Sequence, residues 1–360
     1  MLDGRVTPCH EAELFSCESH MRAFGSLSPQ LLVGPSWVGD MVMAASLVEV
    51  LRMREPSRPI DVLAPAAALP IARMIPGVRR TIPLGLGHGE LGLVARWRLG
   101  RSLRAEGYGK AIILPRAFKA AIPPFAAGIP ERVGYKGEMR AALLTDARPD
   151  SLRKTARTID RFVALGLPPG TQTMVPRPHL ILPDGAHDAA VAKFPLPGEG
   201  PVMVLCPGAE YGPAKRWPAP KFAQLAALAV KAGYRVRVLG SPKDQEAADL
   251  IAATSGVAVD NLVGRTSLID AAAILADADV VISNDSGLMH VAGAFERRLV
   301  VIYGASSEKM TPPAGRRARV VARDLACRPC HKRECPLGTL ACLEEIQAEE
   351  VMAAAEQTRQ

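Results

Sequence analysis

From Leu31 onward, short aliphatic and β-branched runs alternate with longer stretches whose apolar positions recur every three to four residues. Four or five apolar residues bounded by Gly or Pro read as buried strands, and the longer periodic stretches read as helices. The pattern predicts strands at Leu31–Gly34, Ile60–Ala64, Arg80–Leu84, Ala111–Leu114 and Arg132–Tyr135. Helices at Val38–Arg54, Ala66–Met74, Leu91–Glu106 and Phe118–Ala127 separate them. Prolines then gather at 176, 178, 183, 195 and 197 while the period fades, which suits a linker with at most one short helix. The rhythm resumes with strands at Val202–Cys206, Arg235–Leu239, Asn261–Val263, Val280–Ser283 and Leu299–Tyr303. Helices at Pro220–Ala232, Lys243–Thr254, Leu268–Ala276 and Gly287–Phe295 lie between them. Such alternation implies an α/β protein of two doubly wound parallel sheets facing a central cleft. The expected units are an extension at 1–27, a first domain at 28–180, a linker at 181–200, a second domain at 201–326, and a Cys-rich segment with a terminal helix at 327–360.

Composition narrows the partners. With 360 residues, 48% of them hydrophobic, the chain can bury two cores. Forty-four Lys plus Arg against thirty-six acids leave a net charge of +8, which favours an anionic partner. Aromatic residues make up only 4% and are scattered among the basic ones, which argues against nucleic acid, whose single-stranded forms are held by stacking platforms. The longest uncharged apolar run, Ala120–Pro130, is too short and too proline-broken to span a bilayer. The first twenty residues carry Asp3, Glu11, Glu13 and Glu18 and lack an apolar signal core, so a cytoplasmic protein is expected. Of seven cysteines, Cys327, Cys330, Cys335 and Cys342 crowd into one segment with His331. Their spacing is tighter than the usual two-knuckle zinc pattern, and both free thiols and a structural metal site fit it; no catalytic metal is expected.

In an open α/β sheet, ligands sit beyond the carboxyl ends of the strands, so the residues just after each strand matter most. After the first strand comes Gly-Pro-Ser-Trp-Val-Gly-Asp, residues 34–40, placing Ser36, Trp37 and Asp40 at a cleft mouth. Its glycines do not match the dinucleotide fingerprint, and Asp40 stands where a phosphate loop needs Lys. Asp40 reads as a general base or as a helix cap. In the second half, Cys206–Pro218 is a Gly- and Pro-shaped loop whose Lys215 and Arg216 suit a diphosphate, or are simply solvated. Asp244 fits a ribose hydroxyl or a first-turn helix acid. The strand–turn–helix around Asn284, Asp285, Ser286, Gly287 and Leu288 offers backbone N–H groups and the positive end of a helix dipole to a phosphate, or is an ordinary capped crossover. His290 reaches the ligand or fills the core. Arg116, Lys119, Arg132, Lys136 and Arg140 surround the apolar 120–130 stretch and suit a phosphorylated lipid at a membrane surface, or a solvated face.

Together these segments resemble the heptosyltransferases of lipopolysaccharide core assembly. The resemblance rests on Gly-Pro-Ser-Trp-Val-Gly-Asp-Met at 34–41, Pro-Leu-Gly-Leu-Gly-His-Gly at 83–89, Ala-Gly-Ile-Pro at 127–130 and Gly-Glu-Met-Arg at 137–140. It continues through Cys-Pro-Gly-Ala-Glu-Tyr-Gly-Pro-Ala-Lys-Arg-Trp-Pro at 206–218, Asn-Asp-Ser-Gly-Leu-Met-His-Val-Ala at 284–292, and Tyr-Gly-Ala-Ser-Ser at 303–307 with Thr311-Pro312-Pro313. The first of these motifs sides with members that add the second heptose rather than the first. The resemblance implies a GT-B fold with Rossmann-like domains and an inverting transfer from an ADP-heptose donor to the lipopolysaccharide inner core. It implies Asp40 as base, Lys215 as the cation near the donor diphosphate, Asp285 as a donor-contacting acid and, more loosely, Asp244 at the ribose. Donor contacts are then expected from Lys215, Arg216, Asp244, Asn284, Asp285, Ser286, Gly287 and Leu288, and acceptor contacts from Ser36, Trp37, Lys119, Lys136 and Arg140. No cofactor is required, Mg²⁺ is left open, nucleic acid is not a partner, and peripheral contact with the anionic inner-membrane surface is expected. Arg116 and Ala117 depart from the commoner Asn-Ser pair.

Overall fold

A computed structural model describes residues 28–358 apart from 88, 152 and 154; the expected extension at 1–27 lies outside them. The first domain is built on β1 (Gln30–Val33), β2 (Ile60–Ala64), β3 (Val78–Pro83), β4 (Lys110–Ile113), β5 (Glu131–Tyr135) and β6 (Asp146–Arg148). All pair parallel in the order β3-β2-β1-β4-β5-β6. β1 and β2 are buried along their whole length, which is why they read as largely apolar runs rather than as alternating ones, broken only by the buried Gln30 and Asp61. Around this sheet lie α1 (Val38–Arg54), α2 (Leu69–Met74), α3 (Leu93–Ser102), α4 (Ile122–Ala126) and α5 (Thr158–Gly166).

After α6 (Ala186–Lys193), the second domain repeats the plan. Its strands are β7 (Val202–Cys206), β8 (Arg235–Val238), β9 (Val259–Asn261), β10 (Val280–Asn284), β11 (Arg298–Tyr303) and β12 (Ala318–Ala322). They form a second parallel sheet in the order β12-β11-β10-β7-β8-β9. Its helices are α7 (Ala219–Lys231), α8 (Gln245–Thr254), α9 (Leu268–Asp277), α10 (Gly287–Ala294), α11 (Ala341–Glu344) and α12 (Ala348–Gln357). The two Rossmann-like sheets give the GT-B architecture. Each reverses its strand order at one point, between β1 and β4 and between β7 and β10, and that is where such sheets hold ligands.

Several elements differ from expectation. The helix expected at Phe118–Ala127 is broken into a 3₁₀ turn at Phe118–Ala120 and the short α4, because Pro123 and Pro124 have no N–H to donate. The strand β6, the helix α5 and the strand β12 were not anticipated; β6 is short with Asp and Arg at its ends, β12 carries Arg319 and is partly exposed, and both are held by their neighbours.

One hydrophobic cluster runs across both domains, from Met41 and Val42 of α1 to Met289 and Ala292 of α10. The contact is made close by glycine. A Cβ on Gly287 would lie 2.9 Å from Val38 Cβ, and one on Gly39 would lie 2.7 Å from His290 Cδ2. Backbone bonds add to the seam: Thr158 N donates to Met310 O at 3.1 Å, Leu180 N to Ala294 O at 3.4 Å, and Ile181 N to Met74 O at 2.8 Å. Deeper in the first domain, the fully buried Asp61 accepts hydrogen bonds from Arg79, Arg80 and Tyr108. Its burial alone would raise the carboxyl pKa, but those bonds outweigh it and hold the group below the ordinary carboxylate range.

Candidate active site

The loop after β1 leads through Trp37, in an extended conformation, directly into α1. No side chain caps that helix start, so the helix-cap reading of Asp40 is not what the structure has. Asp40 stands in the first turn of α1 and, among the described residues, its carboxylate accepts no hydrogen bond. Burial pushes its pKa up to about 6; the charges of Lys215 and Arg161 pull it down, and that of Asp285 pushes it up. A carboxylate poised near neutrality and free of partners is chemically a base.

Across the cleft, Lys215 ends a 3₁₀ turn at Pro213–Lys215. Its Nζ lies 2.5 Å from Asp285 Oδ2 and 5.2 Å from the centroid of the Tyr211 ring. Asp285 is buried and also accepts from Ser306 Oγ at 2.5 Å. Ser286 begins α10 in extended conformation, but its hydroxyl pairs with Ser283 Oγ at 3.1 Å and no side chain caps the helix. The first-turn N–H groups of α10 are therefore without a side-chain cap, as are those of α1, and Gly287 against Val38 and Gly39 brings the two starts together. Two positive dipole ends meeting beside a lysine suit an anionic ligand.

Asn284, expected among the donor contacts, is fully buried instead. Its Oδ1 accepts from Trp217 N at 3.1 Å and its Nδ2 donates to Pro207 O at 2.6 Å, so it ties both ends of the 207–217 loop to β10. It shapes the loop that presents Lys215. Arg140, expected at the acceptor, is likewise completely buried, and its guanidinium donates to the carbonyls of Tyr135 and Pro115. It holds the turn after β5. Asp244 accepts from Ser241 N at 2.9 Å and Ser241 Oγ at 2.8 Å, leaving Oδ1 4.0 Å from Arg216 Nη2. Lys119 Nζ donates to Glu90 O at 3.0 Å, Lys136 and Trp37 are exposed, and Ser36 is half-buried at the cleft mouth.

The four clustered cysteines line one small cavity together with Ala214 and Ala305, and none is in a disulfide. Among the described residues, no three His, Cys, Asp or Glu side chains are grouped as a metal cage. The segment instead braces the Lys215 loop: Ala214 N donates to Arg333 O at 3.0 Å and Tyr211 OH to His331 O at 2.9 Å.

Three residues were missed or undervalued. Ser306 donates to Asp285 and the charge of Arg161 acts on Asp40, both from positions no local spacing reveals. His290 is core, as one of its two readings had it. Its Nδ1 is nonetheless buried without a hydrogen-bond partner, and burial lowers its pKa to about 4, so it is neutral near pH 7.

Residues 96–341 match the profile of glycosyltransferase family 9 (heptosyltransferase). Lipopolysaccharide heptosyltransferase 2 of Escherichia coli is 43% identical over 302 residues, covering 81% of this chain and 87% of that protein. Lipooligosaccharide heptosyltransferase 2 of Haemophilus influenzae is 40% identical over 304 residues, with the same coverage of 81% and 87%. The solved structure of E. coli ADP-heptose LPS heptosyltransferase II has a TM-score of 0.81 at 37% identity, covering 92% of this chain and 98% of that one. A chain with two facing α/β domains, an unpartnered acid on one lip and a lysine with a helix start on the other thus belongs to glycosyltransferase family 9, the heptosyltransferases.

Proposed function

We propose that this glycosyltransferase moves heptose from ADP-heptose to the first heptose of the lipopolysaccharide inner core, heptosyl-Kdo-lipid A, with inversion, as a heptosyltransferase II. The observation that carries the reading is the convergence of two uncapped helix starts, one bearing Asp40 and the other beside Lys215, whose charge acts on Asp40. Asp40 takes the proton from an acceptor hydroxyl as that oxygen attacks the anomeric carbon of the donor. The bond to ADP breaks on the opposite face in the same step, which inverts the centre. Lys215 leaves Asp285 for the diphosphate, and the N–H groups at Ser286–Leu288 take up the charge that grows on the leaving group. Arg216, beside the same loop, adds a second cation. These groups supply the neutralisation that a metal otherwise supplies, so no cofactor is required, and turnover in EDTA is the expected outcome.

The lipid acceptor needs access from a membrane. Leu91, Val94, Trp97, Phe118 and Phe125 expose apolar surface on and around α3 and α4, and Arg132 lies 5.4 Å over the Phe125 ring. Apolar side chains among cations suit peripheral contact with an anionic bilayer. No helix among the described residues is long and apolar enough to cross one.

The test is ADP release from ADP-heptose with heptosyl-Kdo-lipid A, with Kdo-lipid A and with no acceptor. Release only with the first supports the reading. Release with the second reassigns the acceptor, and silence in all three overturns the activity.

A further inference from the structure

Arg161 is held more firmly than a surface arginine needs to be. Its Nε and Nη2 donate to Asp150 at 2.9–3.1 Å, its guanidinium lies 5.4 Å over the Tyr135 ring, and the same tyrosine's hydroxyl donates to Arg161 O at 2.8 Å. Asp150, whose side chain is only 6% exposed, is gripped on its other side by Arg116 Nε at 2.9 Å. The helix that carries Arg161 starts at the domain seam, where Thr158 N reaches Met310 O. It lies along α1 with Gly166 against Leu47 and Leu51, and the charge of Arg161 lowers the proton affinity of Asp40 on that helix. Two arginines around one buried carboxylate leave a net positive charge, and Nη1 of Arg161 has no hydrogen-bond partner among the described residues.

We propose that Arg161 forms an anion subsite of the acceptor, taking a carboxylate or phosphate on a sugar next to the attacked one, with Asp150, Arg116 and Tyr135 as the residues that position it. The inference rests on the acceptor reading above. A fixed, half-free guanidinium whose charge reaches the base recognises a planar or tetrahedral anion with little ordering cost. It also gives the Arg116 departure a role, as the far anchor of Asp150. The groups facing Asp40 are then Arg161 from the first domain and Lys215 and Asp285 from the second, with neutral His290 packed against the adjacent Gly39.

Binding of a heptosyl-Kdo disaccharide, its Kdo methyl ester and a phosphorylated heptosyl ester analogue, measured by calorimetry without donor, tests the proposal and separates the two anion sources. The wild type is expected to bind the free acid or the phosphate about tenfold more tightly than the neutral ester. Arg161→Gln should bring all three to the ester's affinity, and Arg161→Lys should restore part of the gap. The pH–rate midpoint of Arg161→Gln should also move upward, because a charge that favours ionised Asp40 is gone. Equal binding of acid, phosphate and ester by the wild type overturns the subsite while leaving the acceptor reading standing. Failure of all three to bind overturns both. An equal loss for all three ligands in Arg161→Gln would show a structural role alone.

Discussion

Asp40, in the first turn of the helix after β1, and Asp285, directly after β10, are the same residue type near the reversal points of the two sheets, and the protein treats them in opposite ways. Asp285 is tied to Lys215 and Ser306, so its charge is matched. Asp40 accepts no hydrogen bond from a described residue, and burial raises its proton affinity. A paired carboxylate is a fixture that orients a cation, whereas an unpaired one can take and return a proton. The lesson is that a site acid is identified by what it lacks as much as by where it sits.

The comparison can be broken from either side. Asp40→Asn should lower turnover by about 10³-fold while sparing ADP-heptose affinity, since a positioned base contributes roughly 10²–10⁴-fold. Single-turnover rates and donor titration check both halves. The same variant should be more stable by about 1–3 kcal/mol at pH 8, because the raised pKa means that ionised Asp40 destabilises the fold above pH 6. That gain should fade as the pH falls from 6 toward 4, where the wild-type group is protonated when folded; urea melts across this range measure it. Lys215→Ala should cost about 10²-fold in kcat/KM and weaken donor binding, since a cation on the leaving group acts in both states.

Asp61 sharpens the contrast as a buried carboxylate with full pairing and no place in the cleft. Asp61→Ala should destabilise the fold by about 3–5 kcal/mol, because Tyr108 and the two arginines lose their partner, with little change in kcat for the protein that remains folded. Its contribution runs opposite to that of Asp40: the lowered pKa gives stability that is present above the ordinary carboxylate range and lost on acidification. The smallest effect expected is on the pH profile. The wild-type kcat/KM should fall about tenfold per pH unit below about pH 6, as Asp40 protonates, and a flat profile between pH 5 and 7 would remove Asp40 as the base.

The central strands were legible because burial on both faces leaves a mostly apolar run, and α1 because its apolar residues extend well beyond strand length. The edge strands β6 and β12 were not, since only their neighbours' hydrogen bonds hold residues such as Asp146 and Arg148 extended. Asp40, Lys215 and Asp285 were singled out because they lie in the loops and helix starts that follow β1, β7 and β10. Asn284 and Arg140 carried the same polar signature, yet they face backbone carbonyls and amides inside the fold, and sequence has no mark for the direction a side chain takes.

What the sequence by itself determined is therefore the α/β rhythm, the two sheets and the loops that carry chemistry, because strand and helix periods and Gly–Pro turns are local properties of the chain. The tertiary structure alone decided which of those polar residues are partnered. Asp40 lies some 175 residues from Lys215 in the chain, and the charge of Arg161 reaches it from α5, which packs along α1. Proton affinity depends on distance and burial in space, and these exist only once the two sheets close on each other.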